Sequence, residues 1–145
     1  MELTQKEANA LIALAKHYFG TDIFTFPPNG ESVRIPLFSE NKKEEFMLDI
    51  SRGKVKLTKS TFQNRARKVI ILFRLDIDGS EHMNPNEERI PSPHLHVYRE
   101  GYGDKWAYPV PLDKFKNLND PLQVLEDFMD FCNIITKPHI RGNLF

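Results

Sequence analysis

Apolar residues repeat along this chain with two periods, and the changes between them mark out its elements. Near the N-terminus Ala8, Leu11, Ile12, Ala15 and Phe19 recur at helical spacing, which predicts a helix over 4–18 with one apolar stripe. Thr4 and Glu7 stand in capping-box spacing at its start, and Gly20 suits the left-handed cap at its end. The period then falls to two. Residues 22–26 read as a short strand, Pro27-Pro28-Asn29-Gly30 as a turn, and 32–38 as the returning arm of an antiparallel hairpin. Pro36 has no amide hydrogen, so that arm is expected at a sheet edge. Residues 45–51 and 54–60 flank Arg52-Gly53, with Phe46, Leu48 and Ile50 alternating on one arm and Val55 and Leu57 on the other, the clearest hairpin pattern in the chain. The run TFQNRAR, 61–67, breaks the alternation and reads as a loop.

Residues 68–78, KVIILFRLDID, carry the strongest strand pattern. Val69, Ile71, Phe73, Leu75 and Ile77 would line one face. Ile70 and Leu72 begin the other, which turns polar at Arg74, Asp76 and Asp78. A strand apolar on both faces at its start is expected in the middle of a sheet. A long polar loop over 79–92 follows, then an alternating strand over 93–100, a glycine-flanked turn and a strand over 106–110 that pairs back. Asp120, Pro121 and Gln123 open a C-terminal helix as cap, first residue and capping-box partner. Its buried stripe is Leu122, Leu125, Phe128, Met129, Cys132 and Ile135, and Pro138 ends it. The fold class is α+β: one domain over 1–145, an antiparallel sheet of about six to seven strands with an N-terminal and a C-terminal helix packed on it.

Composition narrows the setting. At 145 residues the chain can bury a core without staples, and 40% hydrophobic with 28% charged residues fits a soluble globular protein. No run of about 18 apolar residues occurs, so no membrane span is expected. The first residues, MELTQKEANA, lack the basic and apolar regions of a secretory signal, and the single Cys132 has no disulfide partner, so a reducing, cytoplasmic location is expected. The formal net charge is zero, which argues against general coating of nucleic acid. Yet 52–68 holds seven basic residues and no acid, whereas 76–88 holds five acids and no Lys or Arg. Lys54, Lys56, Arg65 and Arg67 are therefore candidate binding residues, with a solvated strand face as the plain alternative.

The densest chemistry lies in PHLHVYREGYGDKWAYP, 93–109. If strands 68–78 and 93–100 pair, His94, His96 and Tyr98 share a face with Arg74, Asp76 and Asp78, and a one-residue slip would reverse that. Three readings stay open. In the first, two histidines at i and i+2 hold a divalent metal with Asp76, Asp78 or His82 completing the sphere. In the second, His94 and His96 do acid–base work on a phosphodiester, while Arg74, Arg99 and Lys105 neutralise the phosphate and Tyr98 or Tyr102 orients it. In the third, the same groups form a structural hydrogen-bonded ladder. Trp106 adds an aromatic anchor. Cys132 falls on the apolar stripe and reads as core.

The blocks FMLDISRGKVKL, TFQNR, LDIDG and PHLHVYREGYGDKWAYP resemble a family of small bacterial and prophage-associated proteins known only as a domain of unknown function. The resemblance implies a bacterial, cytoplasmic protein, in a setting where toxins, antitoxins and modulators of phage defence are common. It supplies no catalytic residues. The leading functional reading is a protein acting on RNA, another nucleic acid or a nucleotide, toxin-like ribonuclease included. The alternative is a module that binds a protein partner through the same aromatic and arginine surface. An antiparallel edge leaves the oligomeric state open.

Overall fold

Thr4 caps the first helix as its spacing dictates. Its hydroxyl accepts from the Glu7 amide at 3.1 Å, and the Glu7 carboxylate accepts from the Thr4 amide at 3.0 Å. The structure, a computed structural model, describes residues 2–55 and 58–142. The helix α1 runs only over Gln5–Ala13. The predicted last turn instead opens into a short strand, β1 (Lys16–His17), so Gly20 caps nothing and Phe19 is exposed.

The remaining elements are β2 (Ile23–Thr25), β3 (Ser32–Phe38), β4 (Glu45–Arg52), β5 (Ser60–Ala66), β6 (Ile70–Ile77), β7 (His82–Met83), β8 (Arg89–Ile90), β9 (His94–Val97), β10 (Ala107–Pro109), α2 (Pro121–Phe131), β11 (Ile134–Thr136) and β12 (His139–Arg141). Eight strands form the main sheet, in the order β10-β9-β6-β5-β4-β3-β1-β11. All its pairings are antiparallel except β1 with β11. The architecture is α+β with a mostly antiparallel sheet, and its main sheet is larger than the pattern of alternation predicts.

Five expectations differ from what forms. The hairpin over the Pro-Pro-Asn-Gly turn does not form, because β2 pairs parallel with β12 instead. The hairpin after β4 does form, but its second arm is β5, made of the segment read as a loop, and Val55 lies exposed in the connection. Leu57 and Lys56 lie outside the described residues. The long polar loop folds into the two-stranded β7–β8 hairpin. On α2, the Gln123 side chain turns along the helix to Asp127 at 3.0 Å and not back to the cap, while Asp120 accepts from the Gln123 amide as expected. Ile135 is exposed and Val124 takes its place in the buried stripe. Pro36 is exposed on a stretch of β3 that pairs only with β4, since β1 reaches no further than Phe38.

One apolar cluster gathers Leu48, Ile50, Phe62, Leu72 and Leu75 from the sheet with Leu11, Leu125 and Phe128 from the helices. Full burial of each is worth about 1.5–3 kcal/mol. A bulge in β6 sets which face looks inward. Asn64 opposes Phe73 and Arg65 opposes Ile71, which leaves Leu72 as the extra residue. Leu72 and Phe73 both reach the core, and beyond them Arg74 and Asp76 emerge on the far face. Cross-strand register then builds two polar rows there: Asp49, Gln63, Arg74 and His96 in one, Ser51, Thr61, Asp76 and His94 in the other. Among the described residues, no helix is long and apolar enough to cross a membrane.

Candidate functional site

The two rows bring His94 opposite Asp76 and His96 opposite Arg74, the pairing on which the sequence reading was conditional. Asp76 Oδ2 lies 3.2 Å from His94 Nε2, 3.1 Å from His96 Nε2 and 3.4 Å from Arg74 Nε. Its other oxygen accepts from the Thr61 hydroxyl at 3.1 Å. Arg74 donates through Nη1 to Asp104 at 2.7 Å and lies through Nη2 3.0 Å from His96 Nε2. Both imidazoles are buried, whereas Asp76 keeps about a fifth of its side chain exposed. The β7–β8 hairpin forms the roof. The ring of His82 sits 4.6 Å from that of His96, and Asn84 ties the hairpin to β10 by exchanging hydrogen bonds with Ala107 at 2.8 and 2.9 Å.

Hydrogen placement follows from what each nitrogen faces. His96 Nδ1 meets the Asp104 carbonyl at 2.8 Å and His94 Nδ1 the Pro91 carbonyl at 3.4 Å. A carbonyl only accepts, so each ring can keep its hydrogen on Nδ1; the Asp76 carboxylate also only accepts, so a ring donates to it only with a hydrogen on Nε2. With His96 neutral in this form, its Nε2 accepts from Arg74; protonated, it donates to Asp76. Burial pushes the His94 imidazole below its ordinary value, against the pull of the Asp76 charge. Burial also presses the Asp76 carboxyl upward, but His96, the Arg74 charge and the Thr61 hydroxyl outweigh it and hold the group down at about 2. Asp76 is thus a carboxylate at neutral pH and His94 a neutral base.

The other candidates lie elsewhere. Asp78 adopts a left-handed backbone conformation and bonds to the Thr58 hydroxyl, so it does not join the cluster of Asp76, His94 and His96. His82 donates through Nε2 to the Lys105 carbonyl at 2.7 Å, and Lys105 is otherwise an exposed residue. Tyr98 does not share the histidine face. It is buried in the core, where its hydroxyl donates to the Leu3 carbonyl at 2.6 Å and accepts from the Leu3 amide. Arg99 stacks over Trp106 at 4.3 Å, and Tyr102 meets that indole edge-on at 5.8 Å. These three cluster by the Arg99–Gly103 turn, where Gly101 and Gly103 supply the positive φ. Arg65 chelates Asp49 at 2.5 and 2.9 Å, and Arg67 pairs with Glu44 at 3.1 Å, so much of the expected basic patch is spent on internal ion pairs. Lys54 is exposed, and Lys56 lies outside the described residues. Thr61 and Asp104 were missed by sequence reasoning. The first sits in a strand whose alternation a buried Asn64 disguises, and the second acts from a turn, where no period exists.

A family profile matches residues 3–134. The chain belongs to DUF6978, a family of unknown function. No curated protein and no solved structure matches it. The match spans every residue of the cluster, from Thr61 to Asp104, so the site lies within the family domain.

Proposed function

We propose that this protein hydrolyses a phosphate ester of a nucleotide or nucleic-acid strand, with the water activated at Asp76 and His94. The observation that carries the reading is a carboxylate and a neutral imidazole at the floor of an open groove of about 530 Å³ whose walls hold Lys59, Arg74, Ser51 and Gln63. The two cations would take up charge that develops on the phosphate oxygens. His94 lines the groove. His96 has no exposed surface and acts as a positioning residue, holding Asp76 and Arg74 in place. Lys105, Arg99 and Tyr102, outside this lining, would contact the flanking strand. In the cytoplasm of a bacterium or a prophage host, such an activity fits a toxin-like ribonuclease.

A second reading rests on the Arg99–Trp106–Tyr102 cluster. A half-exposed tyrosine against an arginine-stacked indole is the composition of an interface hot spot, which would make the protein a non-enzymatic module such as an antitoxin or defence modulator.

Hydrolysis of bis(p-nitrophenyl) phosphate and of labelled single-stranded RNA and DNA separates the two. His94→Ala and Asp76→Asn should each lower the rate by roughly 100-fold or more while circular dichroism stays native, and Trp106→Ala should leave turnover of the small ester near wild type. Absence of turnover by the wild-type protein on all three substrates, or full activity in His94→Ala, overturns the enzymatic reading.

A further inference from the structure

The geometry points to a divalent transition-metal site formed by Asp76, His94 and His96, with Arg74 standing in for the ion when the metal is absent. This deepens the reading above, since it rests on the same cluster as the working site, but it stands on ligand geometry of its own.

Three donor atoms converge: Asp76 Oδ2 and the two Nε2 atoms, all within 4.8 Å of one another. The two carboxylate-to-imidazole distances are 3.1 and 3.2 Å. Ligands held about 2.0–2.2 Å from a tetrahedral ion stand roughly 3.3–3.6 Å apart, so small side-chain shifts complete the geometry. The surrounding groups match those that orient metal-bound histidines. Each Nδ1 faces a backbone carbonyl that can take the ring hydrogen when Nε2 ligates. The carboxylate is braced by Thr61. Two nitrogens and one oxygen suit zinc, and three protein ligands leave a position open toward the groove for water. That water is the nucleophile the proposed hydrolysis needs.

Arg74 reaches two of the three donor atoms that an ion would use. Its Nη2 occupies the lone pair of His96 Nε2, and its Nε lies against Asp76 without a hydrogen bond of its own. The ring hydrogen of His94 can fill the remaining gap, pointing from Nε2 to Asp76. A metal would displace both: the hydrogen moves to Nδ1 beside Pro91, and Arg74 withdraws along its ion pair with Asp104. Two carboxylates, Asp76 and Asp104, stand against the one Arg74 guanidinium here. Ion and guanidinium therefore compete for one place.

Calorimetric titration of chelator-stripped full-length protein with Zn²⁺, and with Co²⁺ followed by visible absorption, tests this. The expected result is one ion per chain, with a cobalt spectrum of tetrahedral or five-coordinate type. Asp76→Asn and His94→Gln should each lose binding by roughly 100-fold. Arg74→Gln, which removes a positive charge about 3 Å from a ligand atom, should bind at least roughly tenfold tighter than wild type. Should His96→Ala fail to fold, Asp76→Asn and His94→Gln still decide. No binding in folded wild type and Arg74→Gln, or binding that survives Asp76→Asn and His94→Gln, overturns the site. Equal affinity in Arg74→Gln overturns the competition. Bound metal without turnover would sink the hydrolase reading alone, and turnover by a protein that binds no metal would sink the metal site alone.

Discussion

Lys16 has no exposed surface, yet its ammonium is fully supplied with partners. It donates to the carbonyls of Ile12, in the last turn of α1, and Leu14, its C-cap, at 3.0 Å, and to that of Cys132 at 2.8 Å, at the end of α2, and it sits over the Phe46 ring. One side chain thus ties the C-terminal ends of both helices together, where the helix dipoles favour a cation. Burial nevertheless brings its pKa down from 10.5 to about 8. The unfolded chain therefore binds more protons between those values, so this residue makes stability rise with pH over that window, by something on the order of 3 kcal/mol. The neighbouring Cys132 thiol is pushed far up by its own burial and stays protonated throughout. Urea unfolding at pH 7.5 and pH 10 should show the rise in wild type and a flatter dependence in Lys16→Met. A parallel dependence in the two proteins would exclude Lys16 as the source. Tyr98 teaches a similar lesson. Alternation put it beside the histidines, but β9 ends at Val97, and the next residue is free to turn inward and hold Leu3.

At the scale of elements, the histidines owe their burial to a hairpin that lacks any alternating apolar run. β7 and β8 have two residues each, and Ile90 is their single buried apolar contribution. Asn84 does the fastening, since its amide satisfies both backbone groups of Ala107 and is itself buried. Asn84→Ala leaves those groups without partners and is expected to cost about 1–3 kcal/mol. It should also loosen the roof over the site, so diethyl pyrocarbonate should modify His94 and His96 faster than in wild type. Unchanged modification rates would mean that the roof is held by other contacts. β5 makes the opposite point. Phe62, Asn64 and Ala66 face inward in strict alternation, but a polar residue in the middle hides the period. Asn64 donates to the Met47 carbonyl at 3.2 Å, and its side-chain oxygen has no partner among the described residues.

The whole molecule is closed by its C-terminal segment. After α2 the chain lays β11 parallel to β1 and then β12 parallel to β2. The Phe26 amide donates to the Arg141 carbonyl at 2.9 Å, and Ile140 packs on the core. β2 has no other strand partner among the described residues, so its order depends on this distant segment. Truncation after Lys137 should lower the unfolding midpoint and abolish amide-exchange protection at residues 23–26, while protection in β4, β5 and β6 persists. Protection kept at 23–26 would show that β2 is held from within the N-terminal half.

The sequence by itself determined the central elements and one face of the site. Alternation over β3, β4, β6 and β9, the Thr4–Glu7 box and the Asp120-Pro121 start are local properties, set by the pleat of a strand and the orphan amides of a helix. Given β6 paired with β9, period two also places His94 and His96 with Arg74 and Asp76. Tertiary structure alone decided the rest. It selected β12 as the partner of β2, shifted the faces of β6 by one bulged residue, committed Arg65 and Arg67 to Asp49 and Glu44, and brought Thr61 and Asp104 to the cluster. Each of those outcomes is a contact between segments distant in sequence, and it is fixed by competition among alternative partners that no local period records.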